Sequence, residues 1–129
     1  MKSKGFLLDA SAIYPILIHI DKIDLSRTYI LPLTFYEVGN AIWKEYYFRR
    51  RVKDPVTLSV LFQKLLRKFK LLENPPMEEV MKVAVQKGLT FYDASYAYSA
   101  EVNGLTLVSE DKELIKKANA IPVRELIKT

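Results

Sequence analysis

Two near-identical tetrapeptides each place an acid three residues after a threonine. They are Thr34-Phe35-Tyr36-Glu37 and Thr90-Phe91-Tyr92-Asp93. Two more aspartates, Asp9 and Asp111, each come shortly after an apolar run. Carboxylates can bind a divalent cation or accept a proton from water. With no cysteine and a single histidine, the chain has almost nothing for thiol catalysis, a serine triad or a two-histidine ribonuclease mechanism. These four acids are therefore the candidate catalytic site.

Each of these acids also has a purely structural explanation. An acid three residues after a threonine can form a capping box, and acids in a first helical turn suit the helix dipole. Asp9 could equally be the N-cap of the helix that follows it, and Asp111 could be a surface acid in a charged loop. The combination favours a site, because a buried carboxylate is costly unless a cation compensates it. An all-oxygen donor set suits Mg²⁺ or Mn²⁺.

The elements that must position these acids alternate between strand and helix, which predicts an α/β domain with a mostly parallel sheet. The first apolar run is continuous, as in a strand that is covered on both faces. Predicted strands cover residues 5–9, 29–31, 71–72, 105–108 and 121–123. Predicted helices cover residues 10–19, 34–51, 55–69, 77–87, 90–103 and 111–118. Ligands of such sheets bind beyond the carboxyl ends of the strands, where Asp9 and Asp111 are predicted to lie.

The composition is that of one globular domain of 129 residues, half of them hydrophobic and 27% charged. No uncharged stretch is long enough to span a membrane, so we expect a cytoplasmic protein with no membrane partner. The formal net charge of +5 favours a polyanionic partner, although basic domains without nucleic-acid partners are common.

Four segments resemble, in order, the motifs of the PIN-domain family, and specifically the VapC-type toxins of toxin–antitoxin pairs. The resemblance spans almost the whole chain. The segments are Leu8 to Ala12, Pro32 to Ala41, Tyr92 to Tyr96 and Leu107 to Leu114. Each motif is weakly specific alone, but four in the right order are strong. The last motif differs slightly, because Ser109 replaces the commoner threonine and Glu110 offers a second acid beside Asp111.

The resemblance implies a single PIN domain over residues 1–129, with a three-layer α/β/α fold, a short, mostly parallel central sheet and predominant helix. It implies a metal-dependent endoribonuclease that hydrolyses RNA through water activated by bound Mg²⁺ or Mn²⁺. The catalytic and metal-binding acids would be Asp9, Glu37, Asp93 and Asp111, with Glu110 as an alternative for the last position. Ser11 could orient a metal-bound water or a phosphate oxygen, and Asn40 could support the metal ligands. Both of these side chains could instead form local helix hydrogen bonds.

A basic segment follows the second motif and could hold RNA phosphates around the acidic centre. Its members are Lys44, Arg49, Arg50, Arg51 and Lys53. The alternative is a solvated helix face. Tyr46, Tyr47 and Phe48 could stack on bases, or they could belong to the core or to a protein interface.

The resemblance also implies partners: a small VapB-like antitoxin and a second copy of the chain in a homodimer. Two related functions remain open, namely a PIN nuclease in RNA processing without an antitoxin and a catalytically silent PIN binding module. Response-regulator receivers and haloacid-dehalogenase phosphatases are disfavoured, since both need a second acid where Asp9 is followed by Ala10 and Ser11.

Overall fold

The chain forms a four-stranded parallel sheet in the computed structural model, which describes residues 4–128. The strands are β1 (Phe6–Leu8), β2 (Thr28–Ile30), β3 (Lys70–Leu71) and β4 (Thr106–Val108), in the spatial order β3-β2-β1-β4. β1 is an inner strand, and its Leu7 pairs with Tyr29 on one side and with Leu107 on the other. All three strand pairings are parallel.

Helices outweigh strands in residues 4–128, as predicted. They are α1 (Ala10–Ile18), α2 (Pro32–Tyr47), α3 (Pro55–Leu66), α4 (Met77–Lys87), α5 (Phe91–Val102), α6 (Lys112–Ala118) and α7 (Val123–Lys128). Two short 3-10 turns, Ile20–Lys22 and Leu25–Arg27, join α1 to β2. None of the helices in this part of the chain is both long and apolar enough to cross a membrane.

The sheet separates two apolar cores, because successive residues of a strand point to opposite faces. Leu7 and Leu107 pack into one core, which α4, α5 and α6 cover. Leu8 and Val108 pack into the other, which α1, α2, α3 and α7 cover. The three-layer α/β/α prediction is therefore confirmed, and burial on both faces explains why the first strand has a continuous apolar sequence.

The helix predicted over residues 34–51 is displaced towards the N-terminus and runs from Pro32 to Tyr47. Pro32 occupies the first helical position, where its fixed φ and missing N–H cost nothing, so Thr34 is not the N-cap. At the other end, the basic run Arg49-Arg50-Arg51 lies beyond the last helical residue. Arg50 has a φ of 54°, in the left-handed region. The predicted placement of this basic run in the last turn of the helix is wrong.

The last predicted strand, over residues 121–123, is reduced to a bridge between Ile121 and Val108. It ends there because α7 already begins at Val123. α1 continues through Pro15 for a total of nine residues, so this proline does not break the helix. α3 ends at Leu66, three residues before the predicted end. α4 ends at Lys87 as predicted, and the φ of 66° at Gly88 suits a glycine C-cap.

Candidate active site

Asp9 and Asp111 lie at the same edge of the sheet, since β1 and β4 are parallel neighbours and each acid follows one of them. Both also cap helices. Asp9 Oδ1 accepts a hydrogen bond from the amide of Ala12, at 3.1 Å, and Asp111 Oδ1 accepts one from the amide of Glu113, at 2.8 Å. The capping explanation considered for Asp9 is thus real, and it coexists with a place in the acid cluster.

The two similar tetrapeptides occupy different helical positions. Thr90 is the N-cap of α5, and its hydroxyl accepts the amide of Asp93 at 3.1 Å, so Asp93 lies in the first turn. Thr34 lies inside α2 instead, and its hydroxyl accepts the amide of Leu31 at 3.2 Å. Glu37 follows one turn later, beyond the reach of a capping box. The capping interpretation is therefore wrong for Glu37.

A buried tyrosine holds Glu37 in place. The Tyr96 side chain is 1% exposed, and its hydroxyl donates to Glu37 Oε1 at 2.7 Å. It also lies 2.9 Å from the Thr34 hydroxyl, which must be the donor in that bond because the Tyr96 proton points to Glu37. A chain of hydrogen bonds thus runs from Leu31 through Thr34 and Tyr96 to Glu37. Our sequence reasoning missed Tyr96, although its position three residues after Asp93 puts both on one helix face.

Two serines hold both oxygens of Asp9. Ser11 donates to Oδ1 at 2.7 Å, and the fully buried Ser109 donates to Oδ2. The same hydroxyls accept backbone amides from the loop after β4: Ser11 accepts that of Glu110 and Ser109 that of Asp111, each at 2.9 Å. Ser11 therefore belongs to the site, and its bonds reach well beyond its own helix.

Burial and mutual repulsion weaken the acidity of the cluster. Burial raises the pKa of Asp9 to about 6, although the serine hydroxyls favour its charged form. Burial, together with the nearby charges of Asp111 and Asp9, raises the pKa of Asp93 to about 6. The pKa of Glu37 is raised by burial, opposed by the Tyr96 hydrogen bond and reinforced by the charges of Asp93 and Asp111. Burial is thus the main cause of the raised pKa of Asp9, Glu37 and Asp93, and the negative charges of neighbouring acids add to it.

The cluster holds its charge without a basic partner. Within residues 4–128, none of the ion pairs found involves Asp9, Glu37, Asp93 or Asp111. Nor do any three acids of this range converge to the spacing of a metal site as they stand. Glu110 turns away, because its Oε1 accepts the amide of Val123 at 3.0 Å. This geometry favours Asp111 over Glu110 as the fourth member.

The predicted RNA-binding residues line more than one cavity. Lys44, Arg49 and Asn40 line a cavity that also contains Glu37. Arg50 and Lys53 line a separate hollow.

Glu45 organises part of this segment, since Arg49 pairs with it at 2.6 Å and Arg51 at 3.7 Å. Tyr46, Tyr47 and Phe48 are exposed, so of the alternatives considered for them the core is excluded, and base stacking or a protein interface remains. Tyr47 stacks on Trp43 with the ring centroids 5.2 Å apart.

The raised pKa of Asp9 predicts a specific pH dependence of stability in metal-free buffer. The folded-state pKa of about 6 exceeds the ordinary value of 3.8, so the contribution of Asp9 to stability falls as pH rises from about 4 to about 6. Relative to the native protein, Asp9→Asn should gain on the order of 2–3 kcal/mol across this window, measured by urea denaturation. Asparagine is also a good N-cap, so α1 should remain intact.

Asp54→Asn is the control. A hydrogen bond from Thr57 lowers the pKa of Asp54 below its ordinary value of 3.8, so the midpoint of its titration lies below the window. The stability difference between Asp54→Asn and the native protein should therefore stay flat between pH 4 and pH 6. A flat difference for Asp9→Asn would contradict the burial of a repelled carboxylate.

Tyr96→Phe should destabilise the fold by about 1–2 kcal/mol, because it leaves the buried Thr34 hydroxyl without an acceptor for its proton and Glu37 without its donor. It should also raise the pKa of Glu37 further, as seen by carboxyl NMR titration. Tyr98→Phe on the same helix is the matched control, because the Tyr98 hydroxyl makes no hydrogen bond to residues 4–128. Equal effects of the two substitutions on the Glu37 titration would refute the positioning role of Tyr96.

Comparisons with known proteins agree with this architecture. The exonuclease VapC9 of Pyrobaculum aerophilum is 50% identical over 125 residues, which are 95% of this chain and 92% of that protein. The ribonuclease VapC3 of the same organism is 35% identical over 95 residues, covering 70% of this chain and 71% of the relative.

Solved structures share the fold. A crystal structure of a Pyrobaculum aerophilum protein has a TM-score of 0.88 at 49% identity, covering 96% of this chain and 87% of that one. DNA-bound VapBC from Salmonella typhimurium has a TM-score of 0.67 at 16% identity, covering 92% and 96% of the two chains, and shows the fold alone. The sequence model of the PIN domain matches residues 6–120. This chain belongs to the PIN-domain family.

Proposed function

We propose that this protein is a metal-dependent ribonuclease and the toxin of a toxin–antitoxin pair. The observation that carries the proposal is the coupled cluster of four carboxylates at the carboxyl edge of the parallel sheet. The names of its relatives support it, because one is an exonuclease, another is a ribonuclease and both are VapC proteins.

The donor set fits a divalent cation. Asp9, Glu37, Asp93 and Asp111 offer only oxygen, as Mg²⁺ and Mn²⁺ prefer, and lack a basic partner among the described residues. Because no three of them converge as they stand, side-chain rotation would be needed to close the site. When bound, the ion would lower the pKa of water and offset negative charge at the phosphate.

The protein's own groups contribute position and charge. Ser11 and Ser109 fix the plane of the Asp9 carboxylate by holding both of its oxygens. Tyr96 holds Oε1 of Glu37, which leaves Oε2 free of hydrogen bonds to residues 4–128. One carboxylate of the cluster would take the proton of the attacking water. Hydrolysis of this kind leaves 5′-phosphate and 3′-hydroxyl ends.

Asp9→Asn should abolish RNA cleavage in Mn²⁺ or Mg²⁺ and leave the protein folded. Millimolar Mn²⁺ should raise the melting temperature of the native protein, and raise that of Asp93→Asn less. Asp111→Asn should lower activity, whereas Glu110→Gln is the matched control and should keep it, because that carboxylate faces α7. Full-rate cleavage in the presence of a chelator would refute the metal mechanism.

Internal cleavage of RNA and cleavage from an end can be told apart by experiment. The family resemblance implies internal cleavage, whereas one relative is named an exonuclease. We expect the native protein to linearise a circular single-stranded RNA. A linear RNA of the same sequence is the control. Degradation of the linear RNA alone would assign an exonuclease instead and leave the acid cluster unchanged in its role.

The fold offers an apolar cavity in which a segment of an antitoxin could bind. A cavity of about 470 Å³ lies between α1, α2 and α3. It is lined by apolar side chains that include Ile13, Val38, Ile42, Leu58 and Phe62. An amphipathic or extended partner segment could bury area there, while a basic side chain of the partner enters the acid cluster.

Expression of this chain alone should therefore slow growth, and a small partner with a basic residue in its C-terminal half should copurify. Alanine at that residue should restore some nuclease activity without dissociating the complex, because the apolar cavity still holds the partner. Unimpaired growth and no small partner would favour an RNA-processing nuclease.

Self-association has a separate surface. Val56, Val60 and Leu61 are exposed along α3 and offer an apolar stripe to a second copy. We expect a homodimer by light scattering, and a monomer mass at high micromolar concentration would contradict it.

A further inference from the structure

The residues immediately before Glu37 and Asp93 are both exposed tyrosines. Tyr36 is 78% exposed and Tyr92 is 59% exposed. Within residues 4–128, neither side chain makes a hydrogen bond or a ring contact. Most of the surface of each side chain is therefore open to solvent beside the acid cluster.

Both tyrosines line one cavity, which we call the tyrosine cavity. Its volume is about 510 Å³, within the range of small-molecule sites. Its polar and aromatic lining consists of Tyr36, Glu37, Asn40, Lys44, Arg49 and Tyr92. The cavity is thus continuous with the acid cluster through Glu37.

Charge changes sign along this cavity. Glu37, Asn40 and Lys44 follow one another at intervals of three and four residues, so they share one face of α2. Arg49 lines the cavity too, while its guanidinium is paired with Glu45. Lys44 makes no ion pair with the residues described, which leaves its ammonium available to an anion.

One nucleotide of a single strand carries the complement of each feature. Its base offers a flat face for aromatic stacking and a polar edge for an amide such as that of Asn40. Its phosphate offers the anion for Lys44. An exposed aromatic ring stacks on any base, because every base has a π face.

We propose that the tyrosine cavity binds the base next to the cleaved phosphate, with Tyr36 and Tyr92 as stacking surfaces and Lys44 on a neighbouring phosphate. The inference rests on the proposed ribonuclease function and deepens it. It restricts the substrate to single-stranded RNA, since a paired base would first have to leave its stack.

Binding is measured with the full chain carrying Asp9→Asn, by fluorescence anisotropy of a single-stranded oligoribonucleotide in Mg²⁺. Adding Tyr36→Leu or Tyr92→Leu should weaken binding about tenfold, whereas Tyr36→Phe should keep it. Tyr46→Leu is the control, because Tyr46 lies in the separate hollow with Arg50 and Lys53. Unchanged melting temperatures verify that each variant is folded.

The same oligoribonucleotide is then made abasic at each position in turn. At one position the abasic substitution should weaken binding to the Asp9→Asn protein. At that position, adding Tyr36→Leu should cause no further loss of affinity, because the base that would stack on Tyr36 is already absent. Additive losses at every position would overturn the proposal. So would a larger loss from Tyr46→Leu than from Tyr36→Leu.

Cleavage of the intact oligoribonucleotide by the native protein is measured in parallel. No cleavage, together with tyrosine-dependent binding, would refute the ribonuclease and support the base site. Cleavage with no effect of either tyrosine on binding would refute the base site and leave the ribonuclease standing.

Discussion

The partial burial of carboxylates that have no basic partner, at one edge of the sheet, is the constraint on which the site depends. The parallel pairing of β1 with β4 brings Asp9 and Asp111 together, and α5 adds Asp93. All three lie at helix N-termini, where backbone amides and the helix dipole favour negative charge. Capping a helix and belonging to the acid cluster are therefore not alternatives here. The caps are how the fold tolerates acids that lack basic partners.

Glu37 is the exception, because it lies past the first turn of α2, where helix amides are already bonded. Its charge is held instead by Tyr96, from the opposite layer. α2 covers one core and α5 the other, so the hydrogen bonds from Thr34 to Tyr96 and from Tyr96 to Glu37 join the two layers at the sheet edge. The position of Glu37 thus depends on the register between α2 and α5.

Local signals predicted most of the fold, whereas long-range contacts decided the rest. The continuous apolar strands and the glycine after α4 predicted the layers and one helix end. The two similar tetrapeptides could not be told apart in this way: Thr90 caps α5, but Pro32 starts α2 earlier and turns Thr34 inward to Tyr96. The basic segment reads as one patch in sequence. It divides in space because the chain leaves the helix after Tyr47 and turns at Arg50.

The repeat nevertheless has a common physical meaning. Phe35 packs against one core and Phe91 against the other, and in each case the next residue is an exposed tyrosine. The acid is the residue after the tyrosine, about 100° further round the helix. A partly buried phenylalanine therefore anchors the first turns of each helix, and it places a tyrosine ring beside a carboxylate. Because packing fixes the anchor, a change in cap position between the two helices leaves the pairing of aromatic surface and acid intact.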